Sequence, residues 1–560
     1  MRPFFARVPV TALAVALLAA LGYTPPAAAQ HNHPAPLPAV ATEPYPGLGD
    51  YHFAITTASK DAQDYFDQAV RLLYGFNHDE AARYFRRAAE LDPKAPMPYW
   101  GLALAIGPNY NDTAVDAARA KATNDAVRDA QQRATNGNER EQAYVAALAI
   151  RYRSSDPNSD WQQFHRDYSD AMRALVAKYP DDLDAATMFA ESLMMLRPWQ
   201  LWSLDGQPAP GTLELVAALE SVLKRNPDHP GANHFYIHAV EASPNLERAI
   251  PSAMRLMTLV PNAGHLVHMP GHIFLQTGDF DLAAQTNVKA SEADRAFVER
   301  TGAQGMYPLM YWTHNIHFIA YARAQEGKYA ESMQAARDMV ANVSGGLADI
   351  PMLEGFMLYP LMVELRFHDW STIVAEAEPP RGKERAFTHA FWRYARAMAL
   401  AGEGKTRDAA AEQKRFERER AALAPDAMFL LNNKASDVLA LSSATLAAQL
   451  AQVRGEREAA IGQWRRADTI YSALAYDEPP AWLHPMSQPL GAALLRAGHA
   501  AEAEKVFRDT LATRPRDGRL LFGLWQALLA QHRDSEALLV EQQYREAWKN
   551  ATVDLSVESL

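Results

Sequence analysis

The stretch Pro261-Asn262-Ala263-Gly264-His265-Leu266-Val267-His268-Met269-Pro270-Gly271-His272-Ile273-Phe274-Leu275-Gln276-Thr277-Gly278 carries two independent marks of one register. In a repeat of about 34 residues made of two helices, Pro commonly closes a unit at position 32, and Gly ends the first helix of the next unit at position 15. Counting forward from Pro261 puts His265, His268 and His272 at positions 2, 5 and 9, and counting back from Gly278 gives the same assignment. Positions so spaced lie along one face of a helix, and in stacked helix pairs that face lines the inner groove. The predicted fold is therefore all-α, a tetratricopeptide-like helix-pair solenoid wound as a right-handed superhelix.

The neighbouring repeats read the same way. Pro227 at position 32 places His234 at 5, His238 at 9 and Glu241 at 12, while Gly327 at position 15 places His314 at 2, His317 at 5 and Tyr321 at 9. One repeat earlier, Pro180 puts Glu191 at position 9. Side chains from four repeats are expected to converge in one hollow.

Away from this centre the pattern persists. Ala69, Ala81, Phe85, Ala88 and Pro93 fall at positions 8, 20, 24, 27 and 32 of one unit, and Gly491, Gly498, Ala503, Phe507 and Pro515 at positions 8, 15, 20, 24 and 32 of another. Small residues at these places let helices approach closely. Further helical segments are predicted through about 114–151, 161–179, 387–423, 437–474 and 519–550, and strand-like alternation is scarce. Residues 61–380 are expected to form the groove-bearing solenoid, and 381–560 its C-terminal helix pairs. Two interruptions stand out: Gly107-Pro108-Asn109-Tyr110-Asn111-Asp112 is a helix stop with a polar turn, and Arg197 to Gly206, with Trp199 and Trp202, is too long and aromatic for an ordinary turn. The second is expected to wall a pocket.

The chain begins with Arg2 and Arg7, an apolar run from Val8 to Leu21 and small residues through Ala27-Ala28-Ala29, the pattern of a secretory signal cleaved after Ala29. A Pro- and Ala-rich lead-in, 30–60, is expected to be flexible. No later stretch is long and apolar enough to span a membrane. The expectation is a periplasmic or secreted protein with no transmembrane segment in its mature chain. With no cysteine in 560 residues, any metal must be held by nitrogen and oxygen. A formal charge of −11, without clustered Lys and Arg, argues against a nucleic-acid partner.

Gathered imidazoles repel one another when protonated, so most groove histidines must be neutral, hydrogen-bonded or bound to a cation. His at i and i+4, as in His234/His238 and His268/His272, supplies two ligands from one helical face, and two such pairs on adjacent helices can complete a transition-metal site for Zn, Cu or Fe. Glu191 and Glu241 then offer a ligand, a hydrogen-bond partner for an imidazole or a general base. The alternative is a metal-free polar network filling the superhelix. Pro270 lies inside a predicted helix, where its ring disturbs the preceding turn. Gly402-Glu403-Gly404-Lys405-Thr406 ends like a phosphate loop but lacks the earlier Gly, and is read as a turn. His31-Asn32-His33 would chelate copper only if cleavage followed Gln30.

Through His234 to Ser243 and Ala263 to Phe274 the chain resembles a family of bacterial secreted tetratricopeptide-repeat proteins of unassigned biochemical role. The likeness extends to Tyr99-Trp100-Gly101, Pro108 to Asn111, Glu191 through Trp199 to Gly206, and Leu490 to Leu495, and departs from the family at His484-Pro485-Met486-Ser487-Gln488. It implies a repeat solenoid and supplies no reaction. Two functions stay open. One is a scaffold capturing a peptide, protein or small molecule in the histidine-lined groove, with Trp199 and Trp202 as apolar anchors and Asn233, Tyr236, Asn315 and Tyr321 as polar contacts. The other is a metal-dependent hydrolase or oxidase using the same histidines with Glu191 or Glu241 as base.

Overall fold

The computed structural model describes residues 43–382 and 385–560, and within them helices follow one another in packed pairs. The first pair is Lys60–Tyr74 with His78–Leu91, and the last is Gly518–Leu529 with Asp534–Ala547. Short connections make each pair antiparallel, and each pair buries an apolar stripe against the next. The all-α, tetratricopeptide-like solenoid is the observed architecture. Its only strands among the described residues are the two-residue Met428–Phe429 and Asn433–Lys434. The signal-peptide reading of 1–29 and the His31-Asn32-His33 reading lie outside the described residues. No helix among the described residues is long and apolar enough to cross a membrane.

Local sequence sets where these helices begin and end. Ser59, Asp116, Asp160, Asp182 and Asp517 each accept from a backbone N–H of the first turn, and Asn138 with Glu141 forms a reciprocal capping box. Gly278, Gly327 and Gly498, the residues that gave position 15, sit just past helix ends at φ 77°, 75° and 87°, a conformation Gly adopts without a Cβ clash. Ala69, Ala81, Phe85 and Ala88 are fully buried. At Gly491 an added Cβ would fall inside the Phe507 ring, which is how closely those two helices meet.

Two features depart from the expected solenoid. The lead-in is not loose over 43–59: Tyr45, Leu48 and Phe53 are buried, and Phe53 packs edge-on against Phe66 and Trp100. Apolar residues interleaved with the prolines give this stretch its own surface to bury. The C-terminal pairs also return onto the central ones. Arg516 binds the Thr277 carbonyl and Asp279, Arg514 reaches Tyr321, and Thr552 donates to the Gly327 carbonyl. The segment between the Arg457–Ser472 and Ser487–Ala497 helices is drawn across the groove, where Gln276 donates to Tyr476 and Glu478 and Gln325 to the Leu483 carbonyl.

Candidate metal centre

The Pro230–Val240 helix opens with Pro230 behind a His229 cap, and its next turns deliver His234 and His238 to the interior. The expected distortion at Pro270 is present. Pro270 cannot donate a backbone hydrogen bond, and the helix divides there into Gly264–His268 and Pro270–Thr277. A π-helical turn, Tyr307–Trp312, precedes Thr313–Gln325, which carries His314. Ring centroids lie 4.9 Å apart for His234–His238 and His234–His265, 5.5 Å for His265–His268 and for His238–His272, 4.6 Å for His268–His272 and 4.8 Å for His268–His314. These six imidazoles form one continuous array.

The hydrogen bonds decide which nitrogens carry protons. His234 Nδ1 lies 2.5 Å from the Tyr74 carbonyl, which only accepts, so it must be the protonated nitrogen. His238 Nδ1 lies 2.9 Å from Glu241 Oε1. Burial pushes Glu241 up, but the His238 and His272 imidazoles outweigh it and hold the carboxyl well below the usual range, so this oxygen also accepts. His268 Nδ1 is 2.7 Å from Asn287 Oδ1, and Asn287 Nδ2 donates to the Ala283 carbonyl, which orients the amide. In His234 and His268, which burial keeps neutral, Nε2 is therefore bare. His234 Nε2 stands 3.1 Å from His265 Nε2 and His268 Nε2 only 2.6 Å from His272 Nε2, while His238 Nε2 is buried without any partner.

Two triads result, His234/His238/His265 and His268/His272/His314, and within each the candidate ligand atoms lie within 4.8 Å of one another. Glu241 joins them, because its second oxygen lies 2.8 Å from His272 Nδ1 although off the line of a good hydrogen bond. Glu478 also meets His272 Nδ1. Burial, and then the charge of Glu241, push the Glu478 carboxyl well up, so it keeps its proton beside an ionised neighbour. His234, His265, His268 and His314 are held neutral by burial first and by neighbouring imidazoles second, His238 for His234 and His272 for His268. Burial also lowers His272, with Glu241 opposing it.

The array is closed off from solvent. His234, His238, His265, His268 and His272 are 0–4% exposed, and only His314 is half-buried. Phe76 lies against His234, His238 and His265; Tyr110 and Trp199 close over His238, and Tyr311 over His265. Trp199 thus forms part of the wall, as the aromatic insertion led one to expect, and Trp202 ties that insertion down through Nε1 to the Ala239 carbonyl.

Several expected members lie elsewhere. His317 packs against Tyr359 and Phe356, and burial holds it down at about 3. Glu191 pairs with Arg151 at 3.3 Å in an adjacent cavity whose lining includes Phe76 and Tyr110. Asn233 caps its own helix start through the Pro227 and His229 carbonyls. Tyr236 turns to Glu220, Asn315 to Asp294, and Tyr321 to Arg514. A shared register position sets the face of a helix, but each of these side chains meets a nearer partner first. The sequence reading missed Glu478, Phe76, Tyr110, Tyr311 and Asn287. The available signal for Glu478 was the run Asp477-Glu478-Pro479-Pro480-Ala481-Trp482, as aromatic and as unlike a simple turn as 197–206.

No protein-family model matches the chain, and no curated protein matches it. Among solved structures it is similar to the human IFIT1 dimer with m7Gppp-AAAA, at 12% identity and a TM-score of 0.29 over 89% of this chain and 91% of that one. It is also similar to a monomeric IFIT1 mutant with Gppp-AAAA, at 10% identity and a TM-score of 0.30 over 87% and 90%, and to the P58(IPK) TPR domain, at 12% identity and a TM-score of 0.21 over 85% and 99%. At these TM-scores the fold is read from the chain's own helices, and no binding property passes from those proteins to this one.

Proposed function

We propose that this protein is a tetratricopeptide-like scaffold whose core holds transition-metal ions on the triads His234/His238/His265 and His268/His272/His314. One observation carries the reading: His238 Nε2 is buried without a partner, and one ring nitrogen from each of His234, His238 and His265 lies within 4.8 Å of the others. An imidazole whose Nδ1–H is tied to a carboxylate or carbonyl, with Nε2 turned inward, is the usual posture of a metal ligand. Two nitrogens sharing a tetrahedral ion at about 2.0–2.1 Å sit roughly 3.3 Å apart. The 3.1 Å pair is close to that span, and the 2.6 Å pair would have to spread. Nitrogen-only ligation suits Zn or Cu better than a hard cation.

Catalysis is the less favoured reading. Phe76 and Tyr110 line the neighbouring cavity and also pack against His238, so hydrolysis or oxidation would require a substrate to pass those rings to reach an ion. Solenoids present extended surfaces to protein partners, and here a peptide would have to meet a face other than the filled interior. Export belongs to the same proposal, since a cysteine-free, histidine-ligated site does not depend on a reducing compartment. N-terminal sequencing of the protein from cell fractions tests it, with Gln30 expected as the first residue and a cytoplasmic, uncleaved chain refuting it.

The metal reading is tested on untagged protein by elemental analysis and by titrating chelated protein with zinc or copper. Up to two ions per chain and a rise in Tm on reloading are expected. A metal-free preparation whose Tm is unmoved by either ion would leave the array as a hydrogen-bonded core.

A further inference from the structure

A second cavity lies in the C-terminal half, between the Tyr359–Phe367, Ala386–Gly402, Ala435–Val453 and Ser487–Ala497 helices, and shares no residue with the imidazole array. The cavity opens to solvent, and its inner volume of about 70 Å³ has room for roughly five waters. Its walls are rings: Trp370, Phe391, Tyr394, Trp464 and Trp482. Trp464 and Trp482 are only 6% and 5% exposed, and their Nε1–H groups are buried without an acceptor; His484 Nδ1 is likewise buried without a partner. Such donors are costly to leave unmatched.

Cationic side chains stand in and behind this wall. Arg496 lines the cavity, held by Gln452 and the Val557 carbonyl. Arg366, with Nε and Nη2 buried and unpartnered, and Arg519 act on the two imidazoles in the wall. Burial, then Arg519, Arg366 and Arg496, bring His368 down to about 3, and burial, then Arg366 and Arg519, hold His484 well below its usual value. Glu558, exposed, also lies in the lining and acts on Arg496, and Asp517 acts on Arg366 and Arg519.

We infer that this cavity is a binding site for a small planar aromatic anion, an aromatic carboxylate whose ring stacks among the tryptophans while its oxygens take up the unmatched N–H groups beside Arg496. An unsubstituted ring would use the walls and leave the Trp464 and Trp482 N–H groups unmatched. An aliphatic acid would do the reverse.

The test is calorimetry and tryptophan-fluorescence quenching on the full chain with benzoate, 2-naphthoate and indole-3-acetate, each against its neutral amide. At least one acid is expected to bind one-to-one, its amide at least tenfold more weakly, and equally well in chelated protein. Arg496→Gln should weaken the acid about tenfold and leave the amide within twofold. Trp482→Phe, which keeps a smaller aromatic ring and removes the N–H, should weaken the acid several-fold. Equal affinity for acid and amide, or no acid saturating below millimolar, would overturn the inference on the wild-type chain alone, whatever the variants' stability.

Discussion

Glu241 and Glu478 look alike by composition and differ by environment. Glu241 is ionised and accepts from His238 while facing His272; Glu478 is neutral beside it. Glu241→Gln removes a charge that orients two imidazoles and is expected to weaken metal retention about 10- to 100-fold. Glu478→Gln replaces one neutral group by another and should change it less than threefold. Competition with a chromophoric chelator measures both, and equal losses would show that Glu478 is ionised. A separate residue-scale prediction concerns pH, and it uses a histidine outside the array. Burial first, then Arg151, brings His165 down to about 3. The folded chain keeps this ring neutral while the unfolded chain protonates it below about 6.5. Its stabilisation is therefore complete above 6.5 and falls by about 1.4 kcal/mol per pH unit as pH drops toward 3. Asp294, which burial raises to about 7, acts oppositely across 3.8–7, so the readout is differential. Urea midpoints for His165→Gln should decline less steeply than wild type from pH 6.5 to 4, and parallel curves would refute the assignment.

At the scale of elements, close approach between helices is what holds the rings in place. A Cβ at Gly271 would strike Asn287 Nδ2, the amide that orients His268. Gly271→Ala is expected to lower metal occupancy at the second triad and to leave His234/His238/His265 loaded, as elemental stoichiometry would report. Gly491→Ala places a methyl inside the Phe507 ring, far from any ligand in sequence. It should cost about 1–3 kcal/mol in urea unfolding with metal stoichiometry unchanged. Both positions show why the small-residue places of the repeat were legible early: they are where backbone meets side chain, and local sequence has to supply the room. The division of the helix at Pro270 was equally legible, because a missing N–H needs no tertiary information.

For the whole molecule, the return of the C-terminal pairs matters most. Glu478 meets His272, Gln276 bonds the same segment, and Arg516 and Thr552 tie distant repeats together. A bound ion on His272 would therefore couple two halves of the chain that a simple open solenoid leaves independent. Chelation is expected to lower Tm, to broaden the transition, and to speed protease cutting within 475–486 relative to the remaining inter-helix turns. Unchanged cutting there on metal removal would separate the segment from the site.

The repeat register, the helix pairs and the convergence of His234, His238, His265, His268, His272 and His314 were determined by the sequence itself, since helical periodicity and Pro and Gly punctuation are local properties. Closure of the groove, the neutral partner of Glu241, the diversion of Glu191 to Arg151 and of His317 to Tyr359, and the aromatic cavity were decided only by tertiary structure. Each depends on a contact between residues far apart along the chain. Periodicity states which face a side chain shares, and not which of several neighbours reaches it first.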